Sequence, residues 1–245
     1  MSTKADGWRS LFDGKTMRGW EDPAKETPPG NAWVVEDGCL KALARPRIRE
    51  DLVTEESFGD FELAFEWRIS PKGNSGVKYR IQDRAVLEHG KLNPAAKRFE
   101  DTVNYELVHK VAHRSKIAPD AEIEEYLVAF EYQVIDSRAD ARPTSGPGSL
   151  YDLAGTAHQA ARTGGEFNEA RIVLQGNHVE HWLNGVKVVD VMLDSPAVLE
   201  RLARRWGADS RVYELLKKQP KRVTPIALQH HNDEAWFRNI RIRRL

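Results

Sequence analysis

The chain has 245 residues, of which 37 are basic and 37 acidic, so its formal net charge is zero. Nucleic acids and membrane surfaces favour clustered positive charge, so this balance argues against both partners. The single cysteine, Cys39, excludes an internal disulfide, and no apolar run approaches the roughly 20 residues of a membrane-spanning helix. Nothing marks a domain boundary, so we expect one domain over residues 1–245.

The first third of the chain alternates apolar and polar residues, which is typical of antiparallel strands. Residues 32–42 predict a hairpin that turns at Asp37-Gly38. Residues 58–70 predict a strand, and residues 76–83 predict its return after a turn. If that hairpin is tight, Glu66 lies across from Lys78 and Arg80 of the returning strand.

Further segments continue the pattern to the end of the chain. The predicted elements are strands at 103–111 and 126–136, a three-strand meander at 170–193, a helical segment at 196–219 and a closing hairpin of 223–231 with 234–245. Together they predict an all-β fold, a two-sheet antiparallel sandwich or jelly roll. Loop and short-helix insertions are expected at about 84–126 and 196–222.

Ionisable and amide side chains occupy the polar faces of several predicted strands. Glu131 and Gln133 lie two residues apart and therefore share a face, as do Gln229 and His231. Glu131 and His231 suit proton transfer, because a carboxyl group and an imidazole can act as general acid or base. The alternative is a solvated outer face with no chemistry.

Two cations and two acids complete the candidate site. Lys78 and Arg80 alternate with apolar residues and can bind substrate oxygens, and Glu66 and Asp136 are candidate substrate ligands. Asp136 together with Asp140 offers calcium ligands as an alternative. Otherwise we expect no metal and no cofactor, since no histidine pair has zinc-helix spacing.

Seven segments, taken in order and with their spacing, resemble the 3-keto-disaccharide hydrolase family. They are residues 11–20, 33–42, 61–83, 131–136, 148–153, 166–190 and 226–243. The resemblance implies a concanavalin A-like lectin/glucanase sandwich whose concave face binds sugar. This sequence departs from the family in a longer, more charged stretch at 84–126 and in His230 to Asp233, so substrate choice is expected to differ.

The resemblance also implies a chemistry for the candidate residues. The substrate is a glycoside already oxidised at C3, which acidifies its C2 proton. Either Glu131 or His231 is the base and the other is the acid, while Arg80 or Lys78 stabilises the enolate. Gln133 and Gln229 orient sugar hydroxyl groups.

Three alternatives remain open from the sequence. Direct hydrolysis needs two carboxylates on neighbouring strands, and Glu131 with Glu66 is the pair that we consider. A non-catalytic, lectin-like carbohydrate-binding module uses the same fold. The family is usually exported, so we expect a periplasmic or secreted protein if a signal peptide has been removed, and otherwise a cytoplasmic one.

Overall fold

A computed structural model of the protein describes residues 7–21, 32–45, 50–88, 123–137, 142–155, 160–162 and 165–245. Two antiparallel sheets form the described part. The larger sheet contains β1 (Arg9–Ser10), β3 (Trp33–Glu36), β4 (Cys39–Ala42), β6 (Phe61–Ile69), β9 (Asn168–Gln175), β10 (His178–Leu183), β11 (Val186–Met192) and β13 (Ala235–Arg244). The smaller sheet contains β2 (Trp20–Glu21), β5 (Leu52–Thr54), β7 (Asn74–Glu88), β8 (Ile123–Ile135) and β12 (Ala227–Leu228).

The strand order in each sheet puts distant parts of the chain side by side. In the eight-stranded sheet the order is β11-β10-β9-β6-β13-β4-β3, and β1 pairs with β13. In the five-stranded sheet the order is β2-β5-β12-β7-β8. The all-β, two-sheet antiparallel prediction is confirmed. Among the described residues, neither helix has the length and hydropathy for a membrane crossing.

Aromatic side chains from the two sheets pack against each other and form the core. Phe65 of β6 meets Tyr132 of β8 edge-on, with ring centroids 5.5 Å apart. Tyr79 of β7 and His181 of β10 join the sheets by a hydrogen bond of 2.8 Å. Burial lowers the pKa of His181 to about 4, so its neutral ring accepts from the Tyr79 hydroxyl and donates to the Gly148 carbonyl.

Several local predictions are confirmed. The hairpin turns at Asp37-Gly38, where both residues have positive φ, and the meander appears as β9, β10 and β11. The predicted helical segment is two helices, α1 (Pro196–Trp206) and α2 (Arg211–Lys218). Gly207, with φ of 82°, ends α1 because a left-handed conformation there strains other residues.

Two predicted hairpins are wrong for a shared reason. β6 and β7 lie in different sheets, and so do β12 and β13, although each pair is joined by a short connection. In a sandwich, a short connection can join strands of opposite sheets as well as neighbouring strands of one sheet. The predicted strand at 103–111, Asp140 and most of the expected insertion at 84–126 lie outside the described residues.

Candidate functional site

The strand register brings Lys78 and Glu131 together on the outer face of the five-stranded sheet. Lys78 is the direct partner of Glu131 across β7 and β8, and Ala227 of β12 is its partner on the other side. The neighbouring residues Tyr79 and Phe130 point into the core. Lys78 is 2% exposed and Glu131 8% exposed, so this is a desolvated pair of ionisable groups.

Glu131 lies against the backbone of Gly76. A Cβ atom on Gly76 would come within 2.5 Å of Glu131 Oε1, so the carboxylate occupies space that only glycine leaves free. The Gln229 amide donates to Glu131 Oε2 at 3.5 Å. Burial raises the pKa of Glu131 to about 7, with Lys78 and Arg205 opposing the rise and Asp51 and Asp152 adding to it. A carboxyl group with this pKa can both accept and release a proton near neutral pH.

Lys78 is held by an acid that the sequence analysis did not select. Its ammonium donates to Asp51 Oδ2 at 2.7 Å, and both side chains are almost fully buried. Burial alone would lower the pKa of Lys78, but the carboxylates of Asp51 and Glu131 outweigh it and raise that pKa. Lys78 is therefore a fixed cation beside Glu131.

Two amide side chains near Glu131 have buried oxygens that can accept hydrogen bonds. Gln133 donates from its nitrogen to Asn74 Oδ1 at 3.1 Å, and Gln229 donates to Glu131. Among the described residues, neither the Gln133 nor the Gln229 side-chain oxygen has a hydrogen-bond partner. Because such groups are normally satisfied, these oxygens favour a ligand that donates hydrogen bonds.

His231 follows β12, three residues after the last residue of that strand. Its Nδ1 is 3.7 Å from Asp233 Oδ2, which accepts from the Asn74 backbone. Asn74 precedes Gly76 by two residues, a distance of about 7 Å along a strand. Through Asp233, His231 is thus connected to the start of β7, near the Gly76 backbone against which the Glu131 carboxylate lies. The His231 side chain is 31% exposed.

The prediction that Arg80 shares a face with Lys78 is wrong. Arg80 has φ of 54°, and the β7–β8 register shifts between Tyr79 and Asp83. This bulge turns the guanidinium to the other side, where it donates to the carbonyls of Arg222 at 2.6 Å and Gly176 at 2.8 Å. Arg80 therefore ties the edges of the two sheets together.

Glu66 and Asp136 also lie away from this cluster. Glu66 is on the outer face of the eight-stranded sheet, where it accepts from Arg238 and Asn239, because β6 does not pair with β7. The Glu131–Glu66 carboxylate pair is accordingly excluded. Asp136 accepts from the Lys72 backbone at 2.7 Å and fixes the crossing between the sheets.

Sequence reasoning missed residues that reach the cluster from elsewhere. Arg205, in the last turn of α1, pairs with Asp152 and stacks over the Tyr151 ring at 4.5 Å. Tyr126 of β8 lies below Lys78, with 5.1 Å from Nζ to the ring centre. The helical spacing of 196–219 predicted the helix but gave no signal of what it packs against.

A cavity of about 10 Å³ adjoins Glu131, whereas a hollow of about 650 Å³ lies on the opposite sheet. Volume alone would favour the second as the reaction site. The Glu131 face is the better candidate site, because buried ionisable groups with strongly shifted pKa values lie there. In the larger hollow, the pKa of Glu66 is lowered: partial burial opposes this shift, but hydrogen bonds from Asn239 and Arg238 outweigh it.

One group of described residues has the spacing of metal ligands. His178, Glu180 and Asp190 place ligand atoms within 4.8 Å of one another on the larger sheet. Lys187 donates to Glu180 at 3.0 Å and to Asp190 at 2.5 Å, so one ammonium already bridges both acids. These residues are better explained as a surface ion-pair network.

Comparison with known proteins identifies the family. The model of the 3-keto-alpha-glucoside-1,2-lyase-like domain matches residues 7–243. The chain belongs to this family. A curated relative, the 3-keto-disaccharide hydrolase of Bacteroides thetaiotaomicron, is 31% identical over 258 aligned positions, which cover 98% of this chain and 79% of the relative.

Two solved structures share the fold of this family member. Both are candidate glycosyl hydrolases from Parabacteroides distasonis ATCC 8503. The first has a TM-score of 0.70 at 21% identity and covers 100% of this chain and 98% of its own. The second has a TM-score of 0.60 at 23% identity and covers 97% and 99%. The similarity extends over the whole sandwich.

Proposed function

We propose that the protein cleaves 3-keto-glycosides by acid–base chemistry on the outer face of the five-stranded sheet. The observation that carries the proposal is the buried carboxyl group of Glu131, which lies over Gly76 beside Gln229 and has a pKa of about 7. Family membership and the name of the curated relative support the substrate class. A protein that only bound sugar would gain nothing from a titrating group at this position.

The reaction begins with loss of the C2 proton. Glu131 takes this proton, and the electron pair of the C2–H bond delocalises onto the C3 oxygen as an enolate. The enolate re-forms the ketone and expels the C1 substituent, whose oxygen receives a proton from protonated His231. Water then adds across the C1–C2 double bond, and the net result is hydrolysis.

The remaining candidate residues differ in their part in this scheme. Lys78 stabilises the negative charge that develops on the C3 oxygen, because it is a fixed cation beside Glu131. Arg80 has no part, since its guanidinium bonds to the other side of the sheet. The Gln133 and Gln229 side-chain oxygens, which have no hydrogen-bond partner in the described part of the chain, accept from sugar hydroxyl groups and orient the ring.

Parallel incubation with a disaccharide and its 3-keto derivative tests the proposal. The wild-type protein should cleave only the oxidised sugar, and in D₂O the product should carry deuterium at C2. Glu131→Gln and His231→Ala should each lower kcat/KM by about 100-fold or more, as loss of a general acid or base does. Glu214→Gln, on the exposed side of α2, is the matched control.

The outcomes separate the alternatives. Cleavage of the unoxidised sugar without deuterium incorporation would support direct hydrolysis, and binding of either sugar without cleavage would support a lectin-like module. Near-wild-type turnover in both Glu131→Gln and His231→Ala would remove these two residues from the mechanism. Accumulation of the unsaturated C1–C2 product would make the protein a lyase that stops before hydration.

A further inference from the structure

A hollow of about 650 Å³ lies on the outer face of the eight-stranded sheet. It is built on one row of directly paired residues that crosses five strands. The row consists of Trp182, Arg171, Ala64, Arg241 and Ser10. Trp8, two residues before Ser10, lines the end of the hollow opposite Trp182. With strands about 4.8 Å apart, the row spans roughly 19 Å, which suits an extended chain of sugar rings.

The hollow exists because a small side chain and a β-bulge leave space in the middle of the row. Ala64 has the smallest side chain and lies between two arginines. Asn239, with φ of 52°, lies where the β13–β6 register shifts, and this bulge bends β13 beside Ala64. The volume is within the usual range of small-ligand sites, about 300–1,000 Å³.

Polar groups around the hollow are held before any ligand arrives. Arg171 stacks on the Trp182 ring at 4.2 Å and donates to Glu62 at 2.9 Å. Arg241 lies 5.3 Å from the Trp8 ring centre, and among the described residues its guanidinium has no carboxylate partner. Pre-arranged planar groups can bind neighbouring hydroxyl pairs without an added ordering cost.

The charges and the surface type indicate the kind of ligand. Three arginines and two glutamates line the hollow, and Glu66 is already paired with Arg238, so the balance does not select a strongly charged ligand. The described large apolar residues that are exposed, Val186, Met192, Val223 and Leu245, do not line it. Indole rings next to guanidinium, carboxylate and amide groups match a ring that has apolar faces and a polar rim.

We infer that this hollow binds a neutral oligosaccharide, at a site separated from Glu131 by both sheets. Such a site holds the protein on a glycan without taking part in bond cleavage. The inference does not depend on the proposed reaction, because binding here requires neither a C3 ketone nor Glu131.

The test follows the indole N–H resonances of the seven tryptophans during titration with cellotetraose and, separately, maltotetraose. Binding should shift the resonances of Trp8 and Trp182 with a dissociation constant of about 1 mM or below. Trp236, which pairs with Arg68 on the same outer face but does not line the hollow, is the internal control and should stay in place.

Two variants make the test decisive. Ala64→Phe fills the floor and Trp182→Ala removes one end, and each should weaken the titration by about 10-fold or more. The other indole resonances report whether each variant is folded. The inference is overturned if neither sugar shifts Trp8 and Trp182, or if the shifts persist in both variants. It is also overturned if these resonances change with protein concentration alone, which would identify a contact between copies of the chain.

Discussion

The carboxylate of Glu131 occupies the space beside Gly76 in which any side chain would have its Cβ atom. The ideal Cβ position is 2.5 Å from Oε1 and 2.8 Å from Glu131 Cγ, well inside van der Waals contact. Gly76 is next to β12 as well, because the Gln229 backbone donates to its carbonyl at 2.8 Å. A strand residue without a side chain thus determines where the candidate base lies.

Gly76→Ala should therefore move the Glu131 carboxylate and lower kcat/KM on a 3-keto-disaccharide by about 100-fold, as misplacing a catalytic group does. Gly59→Ala is the control, since its added Cβ meets nothing closer than 3.5 Å and its φ is ordinary. In the double variant Gly76→Ala with Glu131→Gln, the two losses should not add. Additive losses would mean that Gly76 acts through something other than Glu131.

The pKa of Glu131 sets an expected pH profile for the same reaction. Burial raises this pKa to about 7, and the base must be ionised to take the C2 proton. The profile of kcat/KM should therefore rise about tenfold per pH unit below about pH 7 and fall again on the alkaline side, where the general acid His231 loses its proton. A flat profile between about pH 5 and about 8 would remove Glu131 as the base.

The same group should make stability depend on pH. Its folded pKa lies above the unfolded value of 4.5, so the folded protein binds more protons between pH 4.5 and about 7 and loses stability as pH rises through that window. The loss is about 3 kcal/mol when the buried carboxylate is fully charged. Glu131→Gln removes this titration, so it should raise Tm more at about pH 8 than at about pH 5.

Glu214→Gln serves as the control for that measurement. A hydrogen bond from Lys218 lowers the pKa of Glu214, so its contribution has the opposite sign. Its stability contribution is present above the unfolded pKa and is lost as pH falls through the folded one. An equal Tm change for Glu131→Gln at both pH values would contradict the burial of a titrating carboxyl group.

The sequence predicted what depends on local alternation and missed what depends on how the sheets pack. The buried side chains of β6 follow directly from their period of two, and Glu131 shares a face with Gln133 for the same reason. Arg80 fits the same alternation in the sequence, but a β-bulge that the sequence did not predict turns its side chain to the other face of the sheet. Gly76 begins the predicted strand 76–83, and a glycine inside a strand was the available signal of a close approach by another group.

Asp51 and Arg205 show why a site is harder to predict than a fold. Asp51 lies in a charged stretch that has no strand or helix period, and its partner Lys78 is 27 residues away. Arg205 belongs to a predicted helix, but its contact with Asp152 depends on where that helix lies against the sheet. Neither contact can be predicted from the spacing of residues along one segment.

The buried pair of Lys78 and Asp51 gives a prediction for both stability and chemistry. Lys78→Met should destabilise the fold by about 3–5 kcal/mol, because it leaves the Asp51 carboxylate buried and unpaired. It should also move the acid limb of the kcat/KM profile to higher pH, since Lys78 lowers the pKa of Glu131. Adding Asp51→Asn should restore part of the stability but not the turnover. An unchanged profile in Lys78→Met would place its charge outside the reach of Glu131.

Arg80 offers the converse prediction, a loss of stability without a loss of chemistry. Its buried guanidinium donates to the Arg222 and Gly176 carbonyls and pairs with Asp60, so Arg80→Met should cost about 2–4 kcal/mol in unfolding free energy. Turnover measured well below Tm should stay within about threefold of wild type, because this side chain points away from Glu131. Arg201→Met, on the exposed face of α1, should change neither quantity. A large fall in turnover with an unchanged Tm would return Arg80 to the catalytic site.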